Sequence, residues 1–420
     1  MYSIYNILYF LVLLFILPYQ YSKRPVELRR RWLAERLGLL SPVVYANRPV
    51  WIHAVSVGEV LATVPLLKGL KVLYPDREIV LSTVTDTGQK VARERAGELA
   101  RIIYIPFDMT FSVANAYKSI NPALFIIMET ELWPVMIHFF NRQGTPVLLM
   151  NGRLSEKSVK GYRKLRFFFE KVLHGISFFC MQDEVYGRRI ISLGAAKENV
   201  RATGNFKFDT KPSAPIPAWT RMFRGQVLIA GSTHRTEEEL VIDAFTRLLA
   251  DYPALNLIIA PRHPERFREV EELVKKSGLR YLKRSEIAGA TNTRMNHDTP
   301  LQGLIVILDV MGELASVYGA ADIAIMGGSF IEHGGQNPLE PAFWGRAVVC
   351  GPHMENFPFF DEFYKKGAAV RSSYDNLYGI IKDMLGSPQQ LRNMGEAAKE
   401  LYYKNAGATE KALSIIAKYL

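Results

Sequence analysis

A chain of 420 residues exceeds what one ordinary hydrophobic core organises and suits two domains. A hydrophobic share of 49% with 22% charged residues excludes a disordered polymer. The 52 Lys and Arg outweigh 41 Asp and Glu to give a formal charge of +11, which suits anionic partners, and two cysteines in apolar runs, Cys180 and Cys350, exclude a disulfide framework.

In chain order, residues 1–22 come first and read as an N-terminal membrane anchor. They carry no charged side chain, and 7–17 is unbroken apolar sequence. Lys23, Arg24, Arg29, Arg30, Arg31 and Arg36 follow. A cleavable signal peptide carries its positive charge ahead of the apolar run and small residues after it, and neither is present here. The length falls only slightly short of a full span, so crossing the membrane is favoured over lying in its interface. The basic cluster then places the body on the cytoplasmic face of the inner membrane.

From Val50 onward, short β-branched apolar runs alternate with longer amphipathic stretches. The runs 51–55, 79–83, 101–105, 124–128, 147–151 and 178–182 read as buried parallel strands, and 60–73, 88–99 and 132–140 as crossover helices. The pattern pauses at 209–217, where Pro212, Pro215 and Pro217 stiffen an extended linker. A second series of strands follows at 227–230, 255–260, 304–308, 323–327 and 347–350. The expected fold is therefore α/β: two Rossmann-like, doubly wound domains at 23–210 and 218–387, facing across a cleft and joined by a Pro-rich linker at 211–217. Helices at 388–420 are expected to pack back on the first domain.

Ligands of open α/β sheets sit at the carboxyl ends of the strands, so the residues at those ends are the candidates for chemistry. In His53-Ala54-Val55-Ser56-Val57-Gly58-Glu59, the glutamate opens a helix just after a strand. Two roles fit it: a base for a substrate hydroxyl, or an acid that complements the helix dipole. Glu129 and Glu131 follow the strand at 124–128, where one faces the cleft and the other caps the next helix. Lys207, in Thr203-Gly204-Asn205-Phe206-Lys207-Phe208-Asp209, is either a cation for an anion in the cleft or a solvated surface charge.

In the second domain, Arg262 of Pro261-Arg262-His263-Pro264-Glu265-Arg266-Phe267 follows a strand and suits bidentate binding of phosphate or carboxylate. Met311-Gly312-Glu313-Leu314 opens a helix with exposed amides beside a glycine, which suits a phosphate. The densest signal is the run from Gly327 to Glu340, with Gly327, Gly328, Gly334 and Gly335 close together. Glycines there allow backbone to approach a ligand. Asn337 reads as an N-cap, Pro338 as the first helical residue, and Glu340 as an acceptor for a ribose. A loop that merely caps a helix does not need four glycines. His234, His263, His333 and His353 match no compact metal-ligand spacing, and no Asp-x-Asp run is present, so metal-independent chemistry is expected.

Taken together, these runs resemble the bacterial 3-deoxy-D-manno-octulosonic acid (Kdo) transferases. The matching segments are 53–59, 128–134, 151–155, 203–209, 261–267, 311–314, 327–329, 337–340 and 351–353, with the N-terminal anchor. They cover nearly the whole chain in order, and their combination is specific although no single one is. The resemblance implies the GT-B fold, with an acceptor-binding first domain and a second domain that binds the CMP-sugar. It implies CMP-Kdo as donor, with no cofactor, and the lipid A precursor lipid IVA as acceptor. It also implies inversion without a metal. By position, Glu59 corresponds to the general base, and Glu129 and Lys207 to the pair that stabilises the transition state. Pro261, Arg262, Met311, Gly312, Glu313, Asn337, Pro338, Leu339 and Glu340 correspond to the contacts with CMP. The departures are modest: Asn205 and Phe206 beside Lys207, and 333–336 in the glycine run.

Two other classes were weighed. One is a GT-B transferase that uses another nucleotide sugar on a membrane lipid. The other is a noncatalytic scaffold that binds lipopolysaccharide, and the retained strand-end acids Glu59, Glu129, Glu313 and Glu340 argue against it. Nucleic acid is not an expected partner, since the basic excess accompanies no recognisable binding module.

Overall fold

The computed structural model describes residues 1–212, 214–287 and 303–420. Ser213, in the expected linker, lies outside the described residues. The chain forms two compact units: unit 1 comprises Met1–Thr210 and Asn405–Leu420, and unit 2 comprises Lys211–Lys404.

Unit 1 is built on the strands β1 (Val50–His53), β2 (Ile79–Thr83), β3 (Arg101–Tyr104), β4 (Leu124–Met128), β5 (Val147–Gly152), β6 (Phe178–Met181) and β7 (Val200–Ala202). They form one seven-stranded sheet in the order β3-β2-β1-β4-β5-β6-β7, with every pairing parallel. A parallel sheet needs a helical cover on each face, so its strands become continuous apolar runs. Leu124 to Met128 are all fully buried accordingly. Two apolar layers result, one around Trp51, Phe125 and Phe140 and the other around Ile52, Leu66 and Ile126. Strand order reverses between β1 and β4, which makes their carboxyl ends the expected ligand crevice.

Unit 2 repeats the plan with β8 (Val227–Thr233), β9 (Asn256–Pro261), β10 (Tyr281–Lys283), β11 (Ile305–Ile307), β12 (Ile323–Met326), β13 (Ala347–Cys350) and β14 (Ala369–Arg371). Its order is β10-β11-β9-β8-β12-β13-β14, again all parallel, with the reversal between β8 and β12. Residues just after Ser213 pack on this unit. Ser316 Oγ donates to the carbonyl of Ala214 at 2.8 Å, and Gly319 leaves room for Ile216. Cys180 and Cys350 are both free and buried.

Three strands lie outside the apolar runs that the sequence offered: β7, β10 and β14. Each is three residues long, stands at the edge of its sheet and carries a basic residue, Arg201, Lys283 or Arg371. An edge strand is half-solvated, so it shows no unbroken apolar signature. At the carboxyl end of the chain, the helix Pro388–Asn405 buries Leu391 and Met394 in the core of unit 2. The return to unit 1 begins only at Asn405. There Ala408, Ala412, Ile415 and Ile416, on the helix Ala408–Ile416, enter the apolar layer around Ile52.

The helix Tyr2–Ser22 is long and apolar enough to cross a membrane by length and composition. In the structure it lies along unit 1, with Tyr9, Leu13, Leu17 and Tyr21 against Trp32, Tyr104 and Phe107.

Candidate functional site

In unit 1 the predicted residues collect at the carboxyl ends of β1, β4 and β7. Glu59 is the third residue of the helix Val57–Leu73, whose N-cap is Ser56. Its carboxylate turns back toward the strand end. It accepts from the backbone N–H of Val55 at 2.8 Å and from the hydroxyl of Ser56 at 2.9 Å. The helix-start role offered by the sequence is thus met, at the residue for which a base was also expected. The carboxyl is 7% exposed, and burial pushes it up to about 7. The Val55 and Ser56 hydrogen bonds oppose that shift, while the charges of Glu129 and Glu131 add to it.

Glu129 follows β4 in the left-handed region, at φ 55°. Non-glycine residues rarely adopt that conformation, and they keep it only where the surroundings enforce it. Its amide donates to the carbonyl of Met150 at 2.9 Å, and its carboxylate pairs with Arg153 Nε at 2.6 Å. Glu129 is 7% exposed, whereas the Arg153 side chain that meets it is about half exposed, so the pair joins a buried carboxylate to a solvated guanidinium. Burial, then the charge of Glu129, raises the carboxyl of Glu131. Neither acid caps the following helix, Pro134–Arg142. That task falls to Asp108, which follows β3 and accepts from the N–H groups of Val135 and Met136 at 3.1 and 2.8 Å.

Lys207 is brought to this group through a chain of polar ties. The end of β5 bulges at Asn151, which sits at φ 55° and is fully buried. Asn151 Oδ1 accepts from the amide of Phe206 at 3.0 Å, which fixes the short 3-10 turn Phe206–Asp209. Asp209 in turn accepts from the amides of Gly407 and Thr409, both at 2.6 Å, and so pins that turn to the chain's last helix. Burial lowers the ammonium of Lys207, and the charge of Glu129 opposes this. Arg153 lowers it further and Glu59 raises it. Lys207 is therefore not a solvated surface charge. Glu59, Glu129 and Lys207 form one electrostatic group, which also includes Arg153 and Glu131.

In unit 2 the predicted residues end or follow three strands, β11, β9 and β12, the last two lying on either side of β8. Pro261 ends β9, and the amide of Arg262 donates to the carbonyl of Thr233 at 2.9 Å. The guanidinium of Arg262 is exposed. Burial pushes the carboxyl of Glu340 up to about 7, against the pull of Asn337 and Arg262. Asn337 Nδ2 donates to Glu340 at 3.3 Å, and its Oδ1 accepts from the amide of Leu339 at 3.2 Å. The helix is Leu339–Phe343 with Pro338 as its N-cap, one residue later than the sequence suggested. Asn337 still serves the first free amide. Beyond β11, Gly312 adopts φ 90° with open space where a Cβ would be, and Met311 is exposed. The Glu313 carboxylate is already held by Arg284 through two hydrogen bonds of 2.8 and 2.9 Å, and by Trp219 Nε1 at 3.2 Å. The backbone around Gly312 is therefore better placed than the Glu313 side chain to meet a ligand.

The glycine run is a backbone lattice. A Cβ on Gly327 would stand 2.2 Å from the carbonyl oxygen of Ser232, and one on Gly351 equally close to that of Ser329. Gly328, Gly334 and Gly335 all have positive φ. The organiser of this lattice is a residue that the sequence reading passed over. Glu237, 1% exposed, accepts from the amides of Gly328, His234 and Phe330 at 2.7, 2.9 and 3.0 Å. Its only sequence signal is its place in the acidic first turn of the helix Glu237–Leu248, which looks like ordinary dipole complementarity. Arg153 was likewise missed as Glu129's partner. Three of the four noted histidines gather here: the ring of His234 lies 4.3 Å from His333 and 5.5 Å from His263. Burial, with those two neighbours, lowers His234 to about 4, so it is neutral and shares a 3.1 Å hydrogen bond with Gln336.

Comparison with known proteins bears on both units. A family model described as 3-Deoxy-D-manno-octulosonic-acid transferase (kdotransferase) matches residues 31–210. The chain is 35% identical to the 3-deoxy-D-manno-octulosonic acid transferase of Haemophilus influenzae over 409 residues, 93% of this chain and 92% of that one. It is 30% identical to the enzyme of the same name from Bordetella pertussis, covering 92% and 90%. Among solved structures, MurG of Acinetobacter baumannii superposes over 89% of this chain and 100% of its own, with TM-score 0.56 and 14% identity. That likeness shows the fold, two Rossmann-like units of the GT-B type.

Proposed function

This chain belongs to the Kdo transferase family, and we propose that it carries Kdo from CMP-Kdo to lipid IVA at the cytoplasmic face of the inner membrane, inverting the anomeric carbon with Glu59 as general base. The coarser activity is plain: it is a glycosyltransferase that transfers Kdo in lipopolysaccharide biosynthesis. The observation that carries the finer reading is the state of Glu59. A buried carboxyl whose pKa is raised to about 7 is matched to proton abstraction at neutral pH, because enough of it is ionised and the carboxylate is more basic than an ordinary one.

In this reading the acceptor hydroxyl gives its proton to Glu59 as its oxygen attacks the anomeric carbon. The bond from that carbon to the CMP phosphate breaks, and CMP leaves as an anion. One displacement inverts the centre. Positive charge that develops on the sugar is balanced by the Glu129 carboxylate, which Arg153 holds in place. Lys207 and Arg262 offset the charge of the departing phosphate. Lys207, partly stripped of water, has more to gain from an anion than an exposed lysine would. On unit 2, CMP is bound by Pro261, Arg262, Met311, Gly312, Glu313, Asn337, Pro338, Leu339 and Glu340. The amides beside Gly312 suit its phosphate, and the carboxyl of Glu340 suits its ribose. The metal-independent reading rests on these cations as the counter-charge.

Incubation of the full chain with lipid IVA and a CMP-Kdo supply, followed by mass spectrometry, tests the reading. A lipid heavier by one or more Kdo units is expected. An unmodified lipid with an active donor supply overturns the acceptor or the donor, and titration with CMP and UDP then separates the two. Tight binding of CMP with none of UDP is the expected pattern.

A further inference from the structure

The apolar helix Tyr2–Ser22 has two unlike faces once it is folded. Tyr2, Tyr5, Asn6, Tyr9, Leu13 and Leu17 recur at helical spacing and are partly covered. That stripe is fastened to unit 1 along its whole length, about 30 Å at 1.5 Å per residue. At the start, Tyr2 stacks on His138 with ring centres 3.9 Å apart, and Asn6 Oδ1 accepts from the amide of Thr110 at 2.9 Å. Tyr5 packs on Phe168 with ring centres 5.9 Å apart and hydrogen-bonds to the buried Asp108. At the far end, Arg24 lies 3.8 Å over the ring of Trp32 and pairs with Asp86 at 3.3 Å.

The opposite face is bare and apolar: Ile4 is 63% exposed, Ile7 60%, Leu8 58% and Phe15 84%. The apolar surface continues past the helix. Phe111, next to the Asn6 contact, is 64% exposed, and Phe167, next to the Phe168 contact, is 72% exposed. Exposed basic residues fringe it at both ends, Lys23 and Arg30 on one side and Lys160, Arg163, Lys164 and Arg166 on the other. A helix that spans a bilayer meets lipid all round and must satisfy its polar groups within the membrane. Here one face is occupied by a folded domain that carries Asp108, His138 and Asp86 to the contact. Crossing would require the helix to peel away and leave Trp32, Phe107 and Phe168 uncovered. An apolar face with a basic fringe fits an anionic lipid surface instead.

We propose that Tyr2–Ser22 lies in the plane of an anionic phospholipid bilayer as the membrane-facing side of unit 1, with both of its ends on the same side of the membrane. This concerns how the protein meets the membrane and does not depend on the identity of donor or acceptor. The test uses the full chain with one cysteine added ahead of Met1, at the helix end, and separately with Lys197→Cys on the exposed body. The native cysteines are buried and do not compete for a membrane-impermeant maleimide. In inside-out and right-side-out membrane vesicles, both positions are expected to label from the same side. Labelling of the two from opposite sides overturns the proposal. A second arm uses flotation with phosphatidylethanolamine–phosphatidylglycerol vesicles. Phe15→Glu is expected to lower the bound fraction roughly tenfold without shifting thermal unfolding, since it removes apolar area from the lipid-facing side alone. Unchanged flotation also overturns the proposal.

Discussion

In unit 1 the strand ends carry charged side chains that are partly buried against one another, whereas in unit 2 they carry glycines and backbone amides. The sheets beneath are built alike: seven parallel strands, a single reversal of order, and a bulged strand with a non-glycine residue at positive φ beside the site, Asn151 in one and Ser232 in the other. The difference is in what the ends must do. In the proposed mechanism Glu59 moves a proton and needs its charge tuned, and burial beside Glu129 and Glu131 raises its carboxyl to about 7. The nucleotide surface proposed for unit 2 needs its backbone close and fixed, and Glu237 holds that backbone by accepting from three amides at once. On that proposal side-chain charge is the working part of the first unit, and backbone geometry that of the second.

The sharpest way to break this contrast is Glu59→Gln. It keeps the shape of the helix start and removes the base, so turnover should fall by about 10²–10⁴-fold. CMP affinity, measured by calorimetry, should stay the same. A mutant with near-normal turnover would remove the reading of unit 1 as the proton-moving half. Next in size is Glu237→Gln, which leaves one acceptor oxygen for three buried amides. Loss of stability by about 2–4 kcal/mol is expected in denaturant unfolding, with weakened CMP binding. If stability drops but CMP binding survives, the lattice is structural only, and the contrast narrows.

Arg262→Ala removes an exposed cation whose side chain makes no hydrogen bond or ion pair among the described residues. CMP binding should weaken by about 10–100-fold, the range of a charge-assisted contact, and the melting temperature should not move. The smallest effect concerns pH. The carboxyl of Glu59 is raised from 4.5 to about 7 on folding, so its contribution to stability is complete below 4.5 and is lost as pH rises through about 7. Glu59→Gln should therefore be more stable than the parent at pH 8, by on the order of 1–2 kcal/mol, and the gap should close toward pH 5. Turnover of the parent should run the other way, rising with pH through about 7 as the base ionises. Coincidence of the two midpoints would tie the chemistry to this one carboxyl.

Several corrections show where sequence pattern stops. Glu129 and Glu131 looked like candidates to cap the helix that follows them, yet Asp108, some two dozen residues upstream, does so. Lys207 in isolation reads as a surface lysine, and only the tie from Asn151 to Phe206 carries it to Glu129. Glu313 was expected at a helix start among the CMP contacts, and its carboxylate is held by Arg284 and Trp219. Each of these outcomes is a contact between residues distant in the chain, and no local spacing encodes it.

What the sequence determined by itself is the plan. Alternating apolar runs and amphipathic stretches dictate parallel strands with helical cover, because buried parallel strands require apolar side chains on both faces. The positions of Glu59, Glu129, Arg262 and the glycine run at strand ends followed from that plan alone. Tertiary structure decided the rest: the edge strands β7, β10 and β14, whose half-solvated residues leave no apolar trace, and the charge state of Glu59, which depends on how deeply its neighbours bury it. It also decided the disposition of Tyr2–Ser22. By composition that helix is uniformly apolar. The tyrosines and the asparagine along one side become a polar seam only when Asp108, His138 and the amide of Thr110 are folded up against them. A side chain's character is written in the chain, but its partner, and hence its role, is settled by which distant segment the fold brings beside it.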